Sequence, residues 1–303
     1  MLLHLTVFLW GFTAILGKSI TVPAVSIVFY RTLLVVFCMA ALLVASRRSV
    51  KLPPARALRL ALVGSLVGVH WLLFYGCIQR AGVAVAVLCL STLAFFTALF
   101  EPILFRRPIR IYEIAIGGAA VGGVVLLLRF EGIGTPLGWA MGIGSALFSA
   151  VFGTLNGQLT KREEPELLTI YELTGAAVVT ACVFPFMPQT WVPPSRLGLG
   201  NFGMLIVLAI GCTVLPWMWS LRVLRVLSPY VVALAVTLEP VYSMVLARML
   251  WPESEVLSST FYAGAAALIL LGPCNLLLRR AQVGNYSRGK VNEMSVPPSS
   301  ERT

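Results

Sequence analysis

Charge is scarce in this sequence. Only 12% of its 303 residues are Asp, Glu, Lys or Arg, where a soluble domain carries about 25%. With 58% of the residues hydrophobic, the shortage excludes an ordinary soluble fold. Histidine is scarcer still. His4 and His70 are the only two, so no HExxH run and no nucleophile–base or metal constellation can be assembled; neither an enzyme nor a cofactor is expected. The cysteines Cys38, Cys77, Cys89, Cys182, Cys212 and Cys274 all lie in apolar runs without a CxxC pair, which leaves no metal site and no disulfide framework. The first apolar run, "MLLHLTVFLWGFTAILG", lacks a basic n-region and an A-x-A-like cleavage site, and reads as a retained span. The net charge of +11 would suit nucleic acid only if the basic residues gathered on one soluble face. Here they sit in short loops between apolar runs, so no nucleic-acid partner is expected.

What the sequence does have is long unbroken apolar runs. They mark an all-α polytopic membrane protein whose environment is the lipid bilayer. A window of about 20 residues gives ten transmembrane helices, at 2–20, 25–45, 57–78, 81–105, 111–128, 134–159, 167–187, 201–221, 229–250 and 259–279. Residues 280–303 are polar and rich in Ser and Pro, as in a disordered tail. If the N-terminus is cytoplasmic, seventeen Lys and Arg fall in inner segments and three, Arg80, Arg129 and Arg196, in outer ones. The positive-inside rule then puts both termini in the cytoplasm of a multi-pass protein of a bacterial inner (plasma) membrane.

A shift of 146 residues aligns the segment beginning at His70 with the one beginning at Pro216, placing Trp71 on Trp217 and Leu99 on Val245. Near the N-terminus a shift of 141 places "FYR" at 29–31 on "IYE" at 170–172. Each half therefore holds five helices, and because five is odd the second half crosses the membrane in the opposite sense. The charges agree, since inner "RRPI" maps onto outer "PESE". The expected organisation is a first five-helix repeat at 1–130, a second, inverted one at 131–279, and the cytoplasmic tail 280–303. Inverted repeats are the construction of alternating-access transporters, with substrate near the midplane.

The segments "FLWGFTAILGKSI", "FYRTLL", "ALFEPILF…IAIGGAAVGGVVLLL" and "LEPVYSMVLARMLWPESE…FYAGAAALILLG" resemble the EamA family of the drug/metabolite transporter superfamily. The resemblance runs over about 2–279 and implies two inverted five-helix halves around a central cavity. It implies that spans 3, 4, 8 and 9 line that cavity, with help from 1 and 6. The family often has Pro in span 4 where this chain has Ala94; the second-half counterpart is present as Pro240. The Gly-Glu that commonly ends spans 4 and 9 reads Arg106-Arg107 and Pro252-Glu253 here. The family includes exporters of amino acids and other metabolites.

A charge at the bilayer centre costs at least about 2.5–3.5 kcal/mol, so each charge within a span needs a reason. Lys18 and Arg248 lie near span ends and can snorkel. Arg31 and Glu172 occupy corresponding places and are expected to anchor the two halves to headgroups or neighbouring backbone. Glu101, close to Arg106 and Arg107, is expected in a local ion pair. Glu239 differs: it lies ten residues into span 9 from Pro229, about 15 Å into a ~30 Å core. Pro240 kinks the helix beside it and frees a carbonyl, which suits a binding site. The candidate substrate and ion site joins Glu239 and Tyr242 of span 9 to His70, Trp71, Phe74 and Tyr75 of span 3. Ser91 and Phe95 of span 4, Trp217 and Ser220 of span 8, and Asn156 of span 6 complete it. Asn156 ends a stripe with Ser145, Ser149 and Phe152 that usually serves to glue helices, as does "GGAAVGG" in span 5. The expected function is secondary-active or facilitative export of a small metabolite or amino acid, with a small-molecule substrate and protons as the candidate coupling ion. The alternative is a non-transporting membrane scaffold or a lipid-modifying protein on the same repeat.

Overall fold

The computed structural model describes residues 1–49, 51–253, 258, 259, 262–267 and 270. The described residues contain helices and no strand. They are α1 (Leu2–Ser19), α2 (Ala24–Ala45), α3 (Pro54–Ala81), α4 (Val83–Leu90), α5 (Leu93–Phe105), α6 (Ile111–Glu131), α7 (Pro136–Leu159), α8 (Pro165–Ala181), α9 (Leu199–Ala209), α10 (Leu215–Leu224), α11 (Pro229–Val236) and α12 (Glu239–Leu250). Proline opens α3, α7, α8 and α11, where its missing N–H costs nothing and its fixed φ favours the first turn. Thr135 and Ser228 cap α7 and α11 by accepting from the N–H groups of Gly138 and Val231.

The first nine expected spans each coincide with a helix or a broken helix, while 259–279 and the tail 280–303 fall largely or wholly outside the described residues. Among the described residues, seven helical stretches are long and apolar enough to cross a bilayer, with Ile111–Leu126 a shorter apolar stretch. Large apolar side chains such as Phe37, Val178 and Met249 stand exposed on the outside of the bundle, as befits a surface solvated by lipid chains. This is a multi-pass membrane protein.

Among the described residues three spans are interrupted, and each interruption has a local cause. Thr237 and Leu238 separate α11 from α12, one turn before Pro240, which has no N–H to offer the carbonyl of Val236. Thr237 turns its hydroxyl back onto the Leu234 carbonyl at 2.6 Å. Ser91 and Thr92 separate α4 from α5 without a proline; here Thr92 bonds the Cys89 carbonyl at 2.7 Å, and such back-bonding competes with the helical ladder. The shift of 146 residues carries the bounds of α4, 83–90, onto those of α11, 229–236. Between α9 and α10 the helix widens into a π-turn, Ile210–Val214, just ahead of Pro216. The extra residue in that turn accommodates a proline ring that would otherwise crowd the carbonyl of Cys212.

The tightest crossing in the bundle joins α3 to α8. A Cβ on Gly64 would collide with the Glu172 carbonyl, and one on Gly175 with the Ala61 carbonyl. Small residues here let two backbones touch, the usual means of packing helices in lipid. In "GGAAVGG" a Cβ on Gly117 would come within 2.7 Å of Phe95, while one on Gly122 would meet nothing within 4 Å.

Candidate functional site

A central cavity of about 900 Å³, its open mouth included, lies among these helices. Trp10 and Thr13 of α1, Arg31 of α2, His70, Trp71 and Phe74 of α3, Leu90 of α4, and Leu93 and Thr97 of α5 form one side. The other side is Ser149, Phe152, Gly153 and Asn156 of α7, Trp217, Ser220, Leu221 and Leu224 of α10, the inner face of α11, and Glu239. Spans 3, 4, 8 and 9, with 1 and 6, therefore surround the space; span 2 adds Arg31.

The walls are largely aromatic. Trp71 meets Trp217 edge to face at 5.8 Å, and Phe152 stacks on Trp217 at 5.7 Å. His70 stacks on Phe74 at 6.1 Å and takes an edge contact from Phe152 at 5.5 Å. Its Nδ1 lies 2.9 Å from the carbonyl of Ser145. The Ser145 hydroxyl lies 2.8 Å from the same nitrogen, so Ser145 holds the ring through both its backbone and its side chain.

Two charges sit in this apolar setting. Arg31, 2% exposed, donates from Nε to Thr213 at 2.7 Å and from Nη1 to the Tyr75 hydroxyl at 2.7 Å. Its guanidinium lies 3.9 Å from the centre of the Trp71 ring, a cation–π contact worth about 2 kcal/mol or more when desolvated. The π-turn supplies Thr213, whose own proton goes to the Leu208 carbonyl at 2.7 Å, so its oxygen is free to accept from Arg31. Nη2 has no hydrogen bond among the described residues. Glu239, 3% exposed, has neither a hydrogen bond nor an ion pair among them, and its charge interacts with that of Arg31 through space. The cavity thus holds one cation and one anion, each with capacity to spare.

Of the residues read from the sequence, Glu239, His70, Trp71, Phe74, Trp217, Ser220 and Asn156 line the cavity. The other four stand elsewhere. Tyr75 is fully buried one layer back, where it holds Arg31. Tyr242 packs edge to face on Phe8 at 5.5 Å. Phe95 covers Gly117 of α6, and Ser91 sits in the break between α4 and α5 with its hydroxyl buried and unbonded. The stripe on α7 faces the cavity through Ser149, Phe152 and Asn156, not a neighbouring helix alone.

Arg31 and Glu172 are not headgroup anchors. Both are buried, and both bond to side chains of other helices. Distance from the span end hid Arg31. The usable signal was that a guanidinium two turns into a span, with no acid in its own helix, must find its acceptors on neighbours. Glu101 makes its expected pair with Arg107 at 3.0 Å, and its second oxygen accepts the Tyr230 backbone N–H at 2.7 Å. Lys18 lies 4.5 Å over the Trp251 ring and Arg248 donates to the Pro252 carbonyl.

No curated protein matches the sequence. A solved structure described only as "Crystal structure of protein" shares the fold, with a TM-score of 0.67 at 20% identity over 92% of this chain and 97% of that one. The sequence model of the EamA-like transporter family matches twice, over residues 1–129 and 136–274. With nearly the whole chain covered by two matches around one cavity, the protein belongs to the EamA-like transporter family.

Proposed function

We propose that this protein is a secondary-active or facilitative transporter that moves a small metabolite or amino acid by alternating access through the central cavity. The single observation that carries the reading is the pair of buried, opposite, underused charges, Arg31 and Glu239, inside an aromatic box. The spare Nη2 of Arg31 suits a carboxylate, Glu239 suits an ammonium or a proton, and Trp71, Trp217 and Phe74 suit an apolar portion. A passive scaffold would gain nothing from holding two such charges apart in a cavity. The double family match and the corresponding breaks of α4 and α11 support ten spans in two inverted halves, 1–130 and 131–279. In that arrangement, with both termini cytoplasmic, the substrate sits at the midplane between the halves; export is the direction we assign.

The test is flux in proteoliposomes over a panel of amino acids and other small metabolites, with and without an imposed pH gradient. Saturable flux of at least one amphoteric solute is expected. Glu239→Gln keeps the shape but removes one charge-assisted contact, about 1.5–3 kcal/mol, and is expected to lower that flux roughly tenfold or more. Equal flux with equal pH dependence in the variant would remove Glu239 from the mechanism.

A further inference from the structure

Glu172 has no part in the cavity as described, yet it lies directly behind the wall. It sits in α8, entirely buried, with its backbone against Gly64. Its Oε2 accepts from Nδ2 of Asn156 at 3.2 Å. Its Oε1 is buried without a partner, and so are Oδ1 of Asn156 and the indole nitrogen of Trp217. Buried polar atoms are nearly always bonded, so three orphans around one carboxyl group call for an explanation. The Trp217 N–H lies near enough to Glu172 to interact with it but does not complete a bond. Asn156 and Trp217 both face the cavity.

We propose that Glu172, Asn156 and Trp217 form a proton-binding switch in the cavity wall, with Glu172 as the group that takes the proton. One proton decides which orphans are satisfied. As a carboxylate, Glu172 accepts from Asn156 Nδ2 and, through Oε1, from the Trp217 N–H; Oδ1 of Asn156 is then the polar atom left for the cavity. Protonated on Oε1, the acid donates to Asn156 Oδ1 while Nδ2 still donates to Oε2. That closes a two-bond acid–amide ring and releases the indole N–H to the cavity. The proton comes from cavity water and returns to it; one O–H bond forms and no other covalent bond changes. The cavity thus offers an acceptor in one state and a donor in the other, and Phe152, stacked on the indole, and Trp71, edge to face with it, move with it.

The charged side chains nearest the cavity on the helices packed against α8, and the histidine among them, have partners of their own. Arg31 of α2 acts on Tyr75, Cys212 and Glu239; His70 of α3 bonds Ser145; Arg222 of α10 pairs with Glu166 of α8 itself. Asn156 and Trp217 are the groups that act on Glu172, and α7 contributes no titratable residue.

The use of this proton in coupling rests on the transport reading; the switch itself does not, and its test needs no substrate. The full chain in lipid nanodiscs is titrated with acid while the infrared carboxyl C=O band and tryptophan emission are followed together. The expected result is a carboxyl titration, missing from the Glu172→Gln chain, whose midpoint coincides with a change in emission. An emission change whose midpoint matches no carboxyl titration of the wild-type protein, a result that needs no variant, would overturn the proposal. Glu172→Gln is expected to abolish both signals, and Glu239→Gln to leave them in place. Trp217→Phe removes the donor that favours the carboxylate, so the band midpoint moves to higher pH. A band that survives Glu172→Gln, or a midpoint unmoved by Trp217→Phe, also defeats the switch. Absence of flux alongside an intact titration would instead defeat the transport reading and leave the switch standing.

Discussion

Arg31 carries its charge into the bundle without a carboxylate in contact, so its stability depends on neutral partners. Thr213 and Tyr75 each accept one of its N–H groups, and Trp71 supplies a ring face. Tyr75 is wholly buried, so no water replaces its hydroxyl when that group is removed. Tyr75→Phe therefore strands a charged donor and is expected to cost about 1.5–3 kcal/mol, read as a lower midpoint of detergent denaturation. An unchanged midpoint would mean that Arg31 finds another acceptor across the cavity. Glu239 was legible in the sequence because depth alone sets the cost of its charge. Arg31 and Glu172 were not, because their partners come from helices 182 and 16 residues away along the chain. No periodicity within one span records such a pairing.

At the scale of helices, legibility followed local chemistry. The break between α11 and α12 is announced by Pro240. The matching break between α4 and α5 has no proline and rests on Ser91 and Thr92, residues that are common in unbroken helices. The small-residue run in span 5 drew attention to a crossing in which Gly117 meets Phe95. The closer crossing, α3 on α8, depends on Gly64 and Gly175, isolated glycines whose importance appears only when the two helices meet. Because each opposes a backbone carbonyl and not a flexible side chain, Gly175→Ala must push the helices apart. Overpacking of this kind costs about 1–3 kcal/mol, occasionally more. The loss is expected in detergent denaturation and in yield of folded protein. Gly203→Ala in α9, where nothing lies within 4 Å, is expected to leave both unchanged or slightly improved. Equal behaviour of the two variants would show that the α3–α8 contact relaxes freely.

At the scale of the whole molecule, contacts that cross between helices gather at the end where α5 finishes and α11 begins. Glu101 joins the first turn of α11 to Arg107, which also donates to Glu113 at 2.8 Å. Burial works against the Arg107 charge, but its hydrogen bond to Glu113 and the charges of Glu101 and Glu113 outweigh it and raise its pKa above the ordinary value. Beside this latch, Gln158 donates to the Leu104 carbonyl and Arg225 to the carbonyls of Thr160 and Glu163. The opposite end is tied differently, by Ser26 and Tyr30 donating to the carbonyls of Thr190 and Val192. The alternating-access cycle proposed for this chain would break one set while keeping the other, and the charged set is the one that a single substitution weakens. Glu101→Gln keeps the shape and turns charge-assisted bonds into neutral ones, a loss of about 1–2 kcal/mol and roughly a 5- to 30-fold shift toward the opened state. The measurement is labelling of Val232→Cys by a membrane-impermeant maleimide, in a chain whose native cysteines are replaced. Labelling from the α5–α6 side is expected to speed up several-fold in the Glu101→Gln background. A cysteine at Leu90, the last residue of α4 and also in the cavity wall, is expected to label no faster from the opposite side. Unchanged labelling at Val232 would mean that Glu101 does not hold this end of the cavity shut, and the neutral contacts at Leu104 and Thr160 would then have to carry the closure alone.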